Sequence, residues 1–480
     1  MLITLLIVPP IFAGLLFLFP FRRTANVALG LYALIHIATA VALSARHESF
    51  TRYFAIDDFN ILFLGVLSVV FIATTAYLVG QFSRANVAGR DPRYARFAAF
   101  LLLFVDSMNG AILSTHLGLL WVFLEASTLT SVVLVNYNGT RSSLEAAWKY
   151  VFICSIGISF AFIGVIFLGA ADMSIRSLFF ADLNRAAPSM SIFWLRLSFA
   201  FVLIGFGTKM GLAPVHSWLP DAHSEGPAPA SALLSGALLN VALFGILKVD
   251  RILNLAGQSG FARGLLLVMG FLSLFVSSVF ILSSVNYKRM LAYSSIEHMG
   301  IIAIGIGLGG LGVLAALLHM IGHSLSKSAF FLTSGNVHDL TGSNLIESAR
   351  GLRSRHPATA ALVLACFLAI SAAPPFSTFL SEFLLVRALF AQNAVLLGLF
   401  LLLVVVILYG MGTRVLEISS ERSPVPTVTE SPSEHGKSKI PTIWGVLPQL
   451  FLLLLAAILG VYLPGPIWAA LHRAAAYLGG

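Results

Sequence analysis

The chain has 480 residues, 58% of them hydrophobic and only 10% charged, with a mean hydropathy of +0.93. This excludes a soluble globule of ordinary composition and leaves a polytopic membrane protein. The net charge of +9 is spread through short loops between apolar runs, with no basic arm or stripe, so the lipid bilayer is the expected partner and nucleic acid is not.

The N-terminal stretch, MLITLLIVPPIFAGLLFLFPFRR, has no basic side chain before its apolar run and two arginines after it. It reads as a first spanning helix rather than a cleaved signal peptide. About fourteen apolar spans near the ~20-residue length a bilayer requires are expected, at 2–20, 27–44, 60–80, 96–113, 117–136, 147–170, 192–211, 231–249, 264–284, 291–309, 312–334, 358–391 (long and interrupted), 393–412 and 443–464. Of the 29 basic residues, seventeen lie in or beside loops after odd-numbered spans and nine in the opposite loops or at the C-terminus, while Lys209, Lys327 and Arg387 lie within spans. The positive-inside rule then puts both termini away from the cytoplasm, in a cell inner (cytoplasmic) membrane.

The chain is expected to form one membrane domain, 1–480, with no soluble domain. Residues 417–439 are rich in Pro, Ser and charge and read as a flexible loop before a last helix at 443–464. Any catalytic head must therefore come from a partner. Cys154 and Cys366 lie far apart inside apolar runs, which leaves no framework for a structural zinc or an iron–sulfur cluster.

The stretch GFGTKMGLAPVHSWLPDAHSEGPAPASALLSGALLN, Gly205–Asn240, stands out. An apolar helix meets Lys209, breaks over Gly211 and Pro214, and is followed by His216, Asp221, His223 and Glu225 before an apolar helix resumes near Ser231. Burying an ammonium at bilayer depth costs at least ~2.5–3.5 kcal/mol, and a broken helix frees backbone groups that must face protein or water. Together they suggest a hydrated intramembrane site. His216, Asp221 and His223 are read as a turn network rather than as metal ligands. Glu125 sits in the middle of span five. In span eleven His319, His323 and Lys327 recur every four residues and share a helix face, a spacing that suits a relay. His323, one turn from Lys327, is expected to matter more than His319, which a bond to a carbonyl would explain equally well. Glu382 follows a second break at Pro374–Pro375, and two broken helices in the two halves of a chain are a sign of an internally repeated transporter fold. Asp106 in span four is left open between a path and a local polar contact. GIGLGGLG, Gly305–Gly312, follows no strand and reads as a tight turn, not a nucleotide loop.

Lysine and histidine held in a low-dielectric span and coupled to carboxylates exchange protons when a neighbouring charge moves. A row of such groups joined by water would carry protons. No residue supports covalent or redox chemistry, so no catalytic residue, cofactor or metal is expected.

TKMGLAPVHSWLPDAHSEGPAPASALLSG, LEAAWKYVFICSIG, NYKRMLAYSSIEHMG and HSLSKSAFFLTSGNV resemble the antiporter-like, proton-translocating membrane subunits of respiratory complex I and its relatives. SEGPAPASALLSGALLNVALFGILK is most similar to the component F type of hydrogenase-4 and formate hydrogenlyase complexes. The resemblance covers spans three to thirteen. It implies an all-α membrane fold of fourteen helices with two inverted five-helix repeats, the first within 60–250 and the second within 264–412, each with a broken helix. It also implies roles for Glu125, Lys209, Lys327 and Glu382 as the charged residues of spans five, seven, eleven and twelve. Many relatives have a lysine in mid-span eight, where this chain has Asn240, with Lys248 two turns later; the inner relay then passes through Lys248 or through water held by Asn240. The proton path expected from residues and resemblance is Glu125, Lys209, His216, Asn240, Lys248, His319, His323, Lys327 and Glu382. The implied function is that of an ion-pumping membrane subunit of a multi-subunit oxidoreductase, of the membrane-bound hydrogenase type, with other membrane subunits and a peripheral redox module as partners. The alternatives are a subunit of a multi-component cation/proton antiporter without redox partner, and a structural anchor whose path is inactive.

Overall fold

The computed structural model describes residues 2–44, 49–82, 89–172, 177–421 and 443–479. The loop expected at 417–439 falls outside the described residues from 422 on, and its first two residues belong to a helix. Helices α1 (Leu2–Leu18) and α2 (Arg22–Ser44) precede a small hairpin, β1 (Ser49–Thr51) and β2 (Phe54–Ala55), and then come α3 (Asp58–Phe82), α4 (Pro92–Leu113), α5 (Leu117–Val135) and α6 (Arg141–Ala171). The short α7 (Phe180–Ala186) leads to α8 (Ile192–Met210), α9 (Trp218–Glu225) and α10 (Ala228–Leu233), which runs through a π-turn at Leu234–Leu238 into α11 (Leu239–Leu255). Next come α12 (Ser259–Leu282), α13 (Tyr287–Leu308), α14 (Leu311–Thr341), the short α15 (Ile346–Ala349) and α16 (Leu352–Arg355), α17 (Pro357–Ile370), α18 (Ser377–Gln392), α19 (Ala394–Ile418), α20 (Leu447–Val461) and α21 (Gly465–Tyr477).

Among the described residues ten helices are long and apolar enough to cross a membrane, and α20 with α21 forms a further pair bent by 76°. Helices α1 and α17 are shorter apolar helices, and every expected span has a helix at its place, so the count of fourteen is compatible with this set. The chain is a multi-pass membrane protein. Its connecting loops pair by face: Phe21 bridges Arg90 and Asn286 bridges Leu345, whereas Phe54 bridges Ser114 and His116 bridges Phe179. The first pairs follow odd-numbered spans and the second follow even-numbered ones, which is the alternation that the charge pattern implies.

Helix starts carry their signals. Asp91 caps α4 ahead of Pro92 and accepts from Tyr94 N at 3.0 Å, and its carboxylate also takes Arg22 at 2.8 Å, tying two loops of one face. Glycines let helices close where the site needs it. A Cβ at Gly205 of α8 would stand 2.4 Å from Ala161 N of α6, and Gly270 and Gly300 play the same part between α12 and α13, each within 2.8 Å of the other's carbonyl. The turn at Gly305–Gly312 is as expected: α13 ends at Leu308, and Gly309 and Gly310, at φ +73° and +47°, reverse the chain. Large apolar side chains cover the outer faces, Val122, Leu129, Trp148, Phe152 and Ile156 among them, while the stretch 228–250 is wholly buried.

Two details differ from the sequence reading. The polar run after Lys209 is itself helical, α9, because Trp218, Leu219 and Ala222 give it a buried face, and the next helix begins at Ala228 rather than near Ser231. Beyond residue 464, α21 folds back so that Tyr477 stacks on Phe59 at 4.8 Å.

Candidate functional site: buried ionisable side chains between two broken spans

The first break separates α8 from α9. Lys209 lies in the last turn of α8, fully buried, two residues before Gly211 at φ +80°. The last turn of a helix is a favourable place for a cation. It donates to Ser127 Oγ at 3.2 Å and Tyr150 OH at 3.3 Å. Tyr150 also bonds Ser131 Oγ at 2.7 Å and is held by Trp218, whose ring packs against it tilted by 39° with centroids 4.7 Å apart and whose indole donates to Thr208 O at 2.7 Å. Glu125 is half-buried and accepts from Ser155 at 2.7 Å and Thr128 at 3.2 Å. It lies within electrostatic reach of Lys209 without a direct ion pair, and each of the two is held by its own pair of hydroxyls.

Asn240 stands just past the π-turn, the kind of helix irregularity that recurs at functional sites. Its amide donates to Ser324 Oγ at 2.7 Å and Gly236 O at 3.1 Å, which leaves Oδ1 buried without a protein partner among the described residues. Only a glycine fits at 236, where a Cβ would sit 2.0 Å from Ser328 Oγ. Helices α10, α11 and α14 are thereby drawn together around Asn240.

In α14, Lys327 is fully buried and donates to Leu291 O at 2.8 Å. Glu297 of α13 is within electrostatic reach of it without a direct ion pair. His319 joins His298 Nδ1 at 2.7 Å through Nε2 and Ser381 Oγ at 2.9 Å through Nδ1. Ser381 precedes Glu382 in α18, after the second break at 371–376. His323 packs 5.2 Å from His298 by ring centroids and has no partner for either nitrogen among the described residues. His223 stacks on Phe331 at 4.6 Å and is likewise unpartnered. Two residues on from His223, at Glu225, begins the lining of a cavity of about 380 Å³, with Gly226, Lys288, His338, Asp339 and Asn344 among its other walls. Lys288 caps it from within by donating to Gly226 O.

Asn240, His319, His323 and Lys327 thus gather on or against α14, with Glu382 next to Ser381, while Lys209 and Glu125 lie on α8 and α5, and α11, which carries Asn240, packs on α8; these groups make up the interior band. His216 and Lys248 stand apart. His216 is half-buried at the first break with its Nδ1 unpartnered, and Lys248 is 3.3 Å from Asp57 at the far end of α11. His216, Asp221 and His223 do not converge on one point: Asp221 pairs with Lys149 at 3.2 Å and with Arg289. Asp106 keeps Oδ1 buried and unpartnered away from the band. Sequence reasoning missed Glu297, His298, Ser127 and Tyr150. Two adjacent ionisable residues inside apolar span ten were the signal for the first two; hydroxyls in apolar helices are too common to mark the others.

Fold and site together define a polytopic α-helical membrane protein whose charged side chains are buried at its centre, between two broken spans. The chain belongs to the family described as NADH:quinone oxidoreductase/Mrp antiporter, TM, whose pattern matches residues 114–408. It is 34% identical over 444 residues to the hydrogenase-4 component F homolog of Methylacidiphilum infernorum (isolate V4), covering 90% of each chain. Its fold matches a chain of the archaeal membrane-bound sulfane sulfur reductase with a TM-score of 0.86, at 24% identity over 99% of this chain and 97% of that one. It matches a chain of the Mrp complex from Dietzia sp. DQ12-45-1b at 0.85, with 20% identity over 99% and 96%. These two likenesses concern the fold alone.

Proposed function

We propose that the chain is a proton-translocating membrane subunit of a multi-subunit oxidoreductase of the membrane-bound hydrogenase type. It sits beside other membrane subunits, and a peripheral redox module supplies the driving reaction. The loops rich in basic residues face the cytoplasm and both ends face away from it, in the cytoplasmic membrane.

The observation that carries this reading is the interior band itself. Protons enter by the cavity at Lys288 and His338 and pass His223 to Lys327 and Glu297. From there the histidines, Ser381 and Glu382 form one arm, and Asn240, Lys209, Glu125 and their hydroxyl partners form the other. Water between partnerless groups such as Asn240 Oδ1 and the two rings His223 and His323 completes the row, since buried polar atoms without protein partners are commonly satisfied that way. The two halves 60–250 and 264–412 act as inverted repeats around the breaks.

The test is proton uptake by vesicles holding the intact complex, driven by its redox reaction. Replacing Lys327 by Ala or Arg abolishes uptake while the complex assembles. Uptake at the wild-type rate in Lys327→Arg ends the proposal, because guanidinium keeps its proton at accessible pH. The antiporter reading is supported by the Mrp-like fold. Cation/proton exchange by vesicles with no redox partner present would favour it.

A further inference from the structure

We propose that His298, His319 and Glu382 form a binding site for a divalent transition cation of the zinc class, with Ser381 fixing the geometry. Three helices, α13, α14 and α18, supply one donor atom each, and these atoms all lie within 4.8 Å of one another. Residues so far apart in sequence show no ligand spacing, which is why the sequence pointed to no metal.

The hydrogen-bond directions make the cluster rich in lone pairs. Ser381 Oγ donates to Thr378 O at 2.9 Å, so at His319 Nδ1 it accepts, 2.9 Å away. His319 therefore carries its proton on Nδ1 and aims the bare Nε2 at His298 Nδ1, 2.7 Å away. The proton between the rings belongs to His298. The other side of that ring is turned toward the Ile370 carbonyl. A cation held by both rings opens the two nitrogens from 2.7 Å to about 3.3 Å, the spacing that two Zn–N bonds of about 2.0–2.1 Å set at a tetrahedral angle, and it moves the His298 proton from Nδ1 to Nε2, on the side of the Ile370 carbonyl. Glu382 coordinates as the carboxylate, and if it holds a proton, that proton goes to solvent.

Two neutral imidazoles and one carboxylate are a donor set that zinc uses with a fourth position open. A second observation supports a ligand here. His323, fully buried with both nitrogens unpartnered among the described residues, stands 5.2 Å from His298 by ring centroids, outside the three-donor group, and a rotation of its ring would bring a fourth nitrogen toward it. A carboxylate, Glu297, acts on Glu382, and the Lys327 ammonium acts on His298 and His323, so one charge of each sign flanks the cluster and the donors themselves decide whether a cation binds. Ser381 does for His319 what outer partners do for metal-bound histidines, fixing its tautomer and orientation. The metal needs no proton transport in order to bind. The proposed relay enters only in the consequence, that a bound ion replaces the proton shared by the two rings and arrests that arm.

The experiment uses the purified complex with the full chain, its affinity tag free of histidine, equilibrated with zinc and freed of loosely held ion. Zinc is counted per chain and its donors are read from the zinc absorption edge. Wild type retains one zinc more than His319→Gln or Glu382→Gln, bound by nitrogen and oxygen, and the exposed His472→Gln retains as much as wild type. Ser381→Ala binds about 10- to 100-fold more weakly. Equal zinc in wild type, His319→Gln and Glu382→Gln overturns the site. If those two variants do not assemble, wild type decides alone: zinc slows modification of His298 and His319 by diethyl pyrocarbonate several-fold, and equal rates with and without zinc overturn the proposal. Loss of pumping with zinc binding intact would count against the relay and leave this site standing.

Discussion

Lys209 and Lys327, both fully buried, sit in opposite surroundings. Lys209 ends a helix, its partners are the hydroxyls of Ser127 and Tyr150, and half-buried Glu125 in the same helix as Ser127 has hydroxyl partners of its own. Lys327 lies inside the unbroken 31-residue α14 and donates to a carbonyl, with Glu297 and the imidazoles around it. Hydroxyls pass a proton only by reorienting, whereas imidazoles and carboxylates can hold one. The Lys209 half is built to transmit a change of charge toward a neighbour, and the Lys327 half to store it.

That contrast ranks the expected losses. The largest falls on the storing half: Lys327→Ala and Lys327→Arg should each lower redox-driven proton uptake roughly 100-fold or more, the scale of a missing proton-exchanging group. His319→Gln should follow closely and exceed His323→Gln. This reverses the order that spacing suggested, because His319 is bonded on both sides and His323 on neither. A larger loss in His323→Gln would restore the simple stripe along α14.

In the transmitting half, Glu125→Gln and Lys209→Met should each cut uptake at least about tenfold, toward the low end for a lost acid–base group, with assembly intact. Tyr150→Phe removes one hydroxyl from beside Lys209 and leaves the ring packed on Trp218. A hydrogen bond worth about 1 kcal/mol sets its loss at about fivefold. Were Tyr150→Phe as damaging as Lys209→Met, the hydroxyls would be an obligatory wire rather than a solvating shell.

Much of this was legible from residues. A charged group in an apolar span is conspicuous because it costs so much to put there, and Gly211, Pro214, Pro374 and Pro375 mark the breaks by removing donors or permitting turns. The spans could be read because backbone groups in lipid must pair within a helix. What escaped is what only packing decides. That His298 meets His319 depends on Gly305 and Gly312 letting α13 close on α14, and on the second break bringing Ser381 to His319; neither leaves a spacing to find. The fold-back of α21 escaped because its apolar face is short and interrupted by His472 and Arg473.

The smallest effect separates path from fastening at Lys248. Its ammonium is 3.3 Å from Asp57 and 3.4 Å from Tyr477 OH, with the rings of Phe59, Phe180, Phe244 and Tyr477 at 4.9–5.6 Å. These groups come from α3, α7, α11 and α21, so one cation ties four elements at the face opposite the basic loops. Asp57 is 49% exposed, which keeps the ion pair itself weak, and the rings give most of the hold, about 1 kcal/mol in all. Lys248→Met keeps the stem and loses the charge. It should lower the thermal unfolding temperature by a few degrees and leave proton uptake within about twofold of wild type, since a fastening shifts stability and not transport. If uptake instead falls about tenfold in an assembled complex, Lys248 is the lysine step that Asn240 lacks. The 360 Å³ pocket lined by Asp57, Asn60, Asp182 and Lys248 would then be the mouth of a path along α11, and the storing half would have a second outlet beside Glu382.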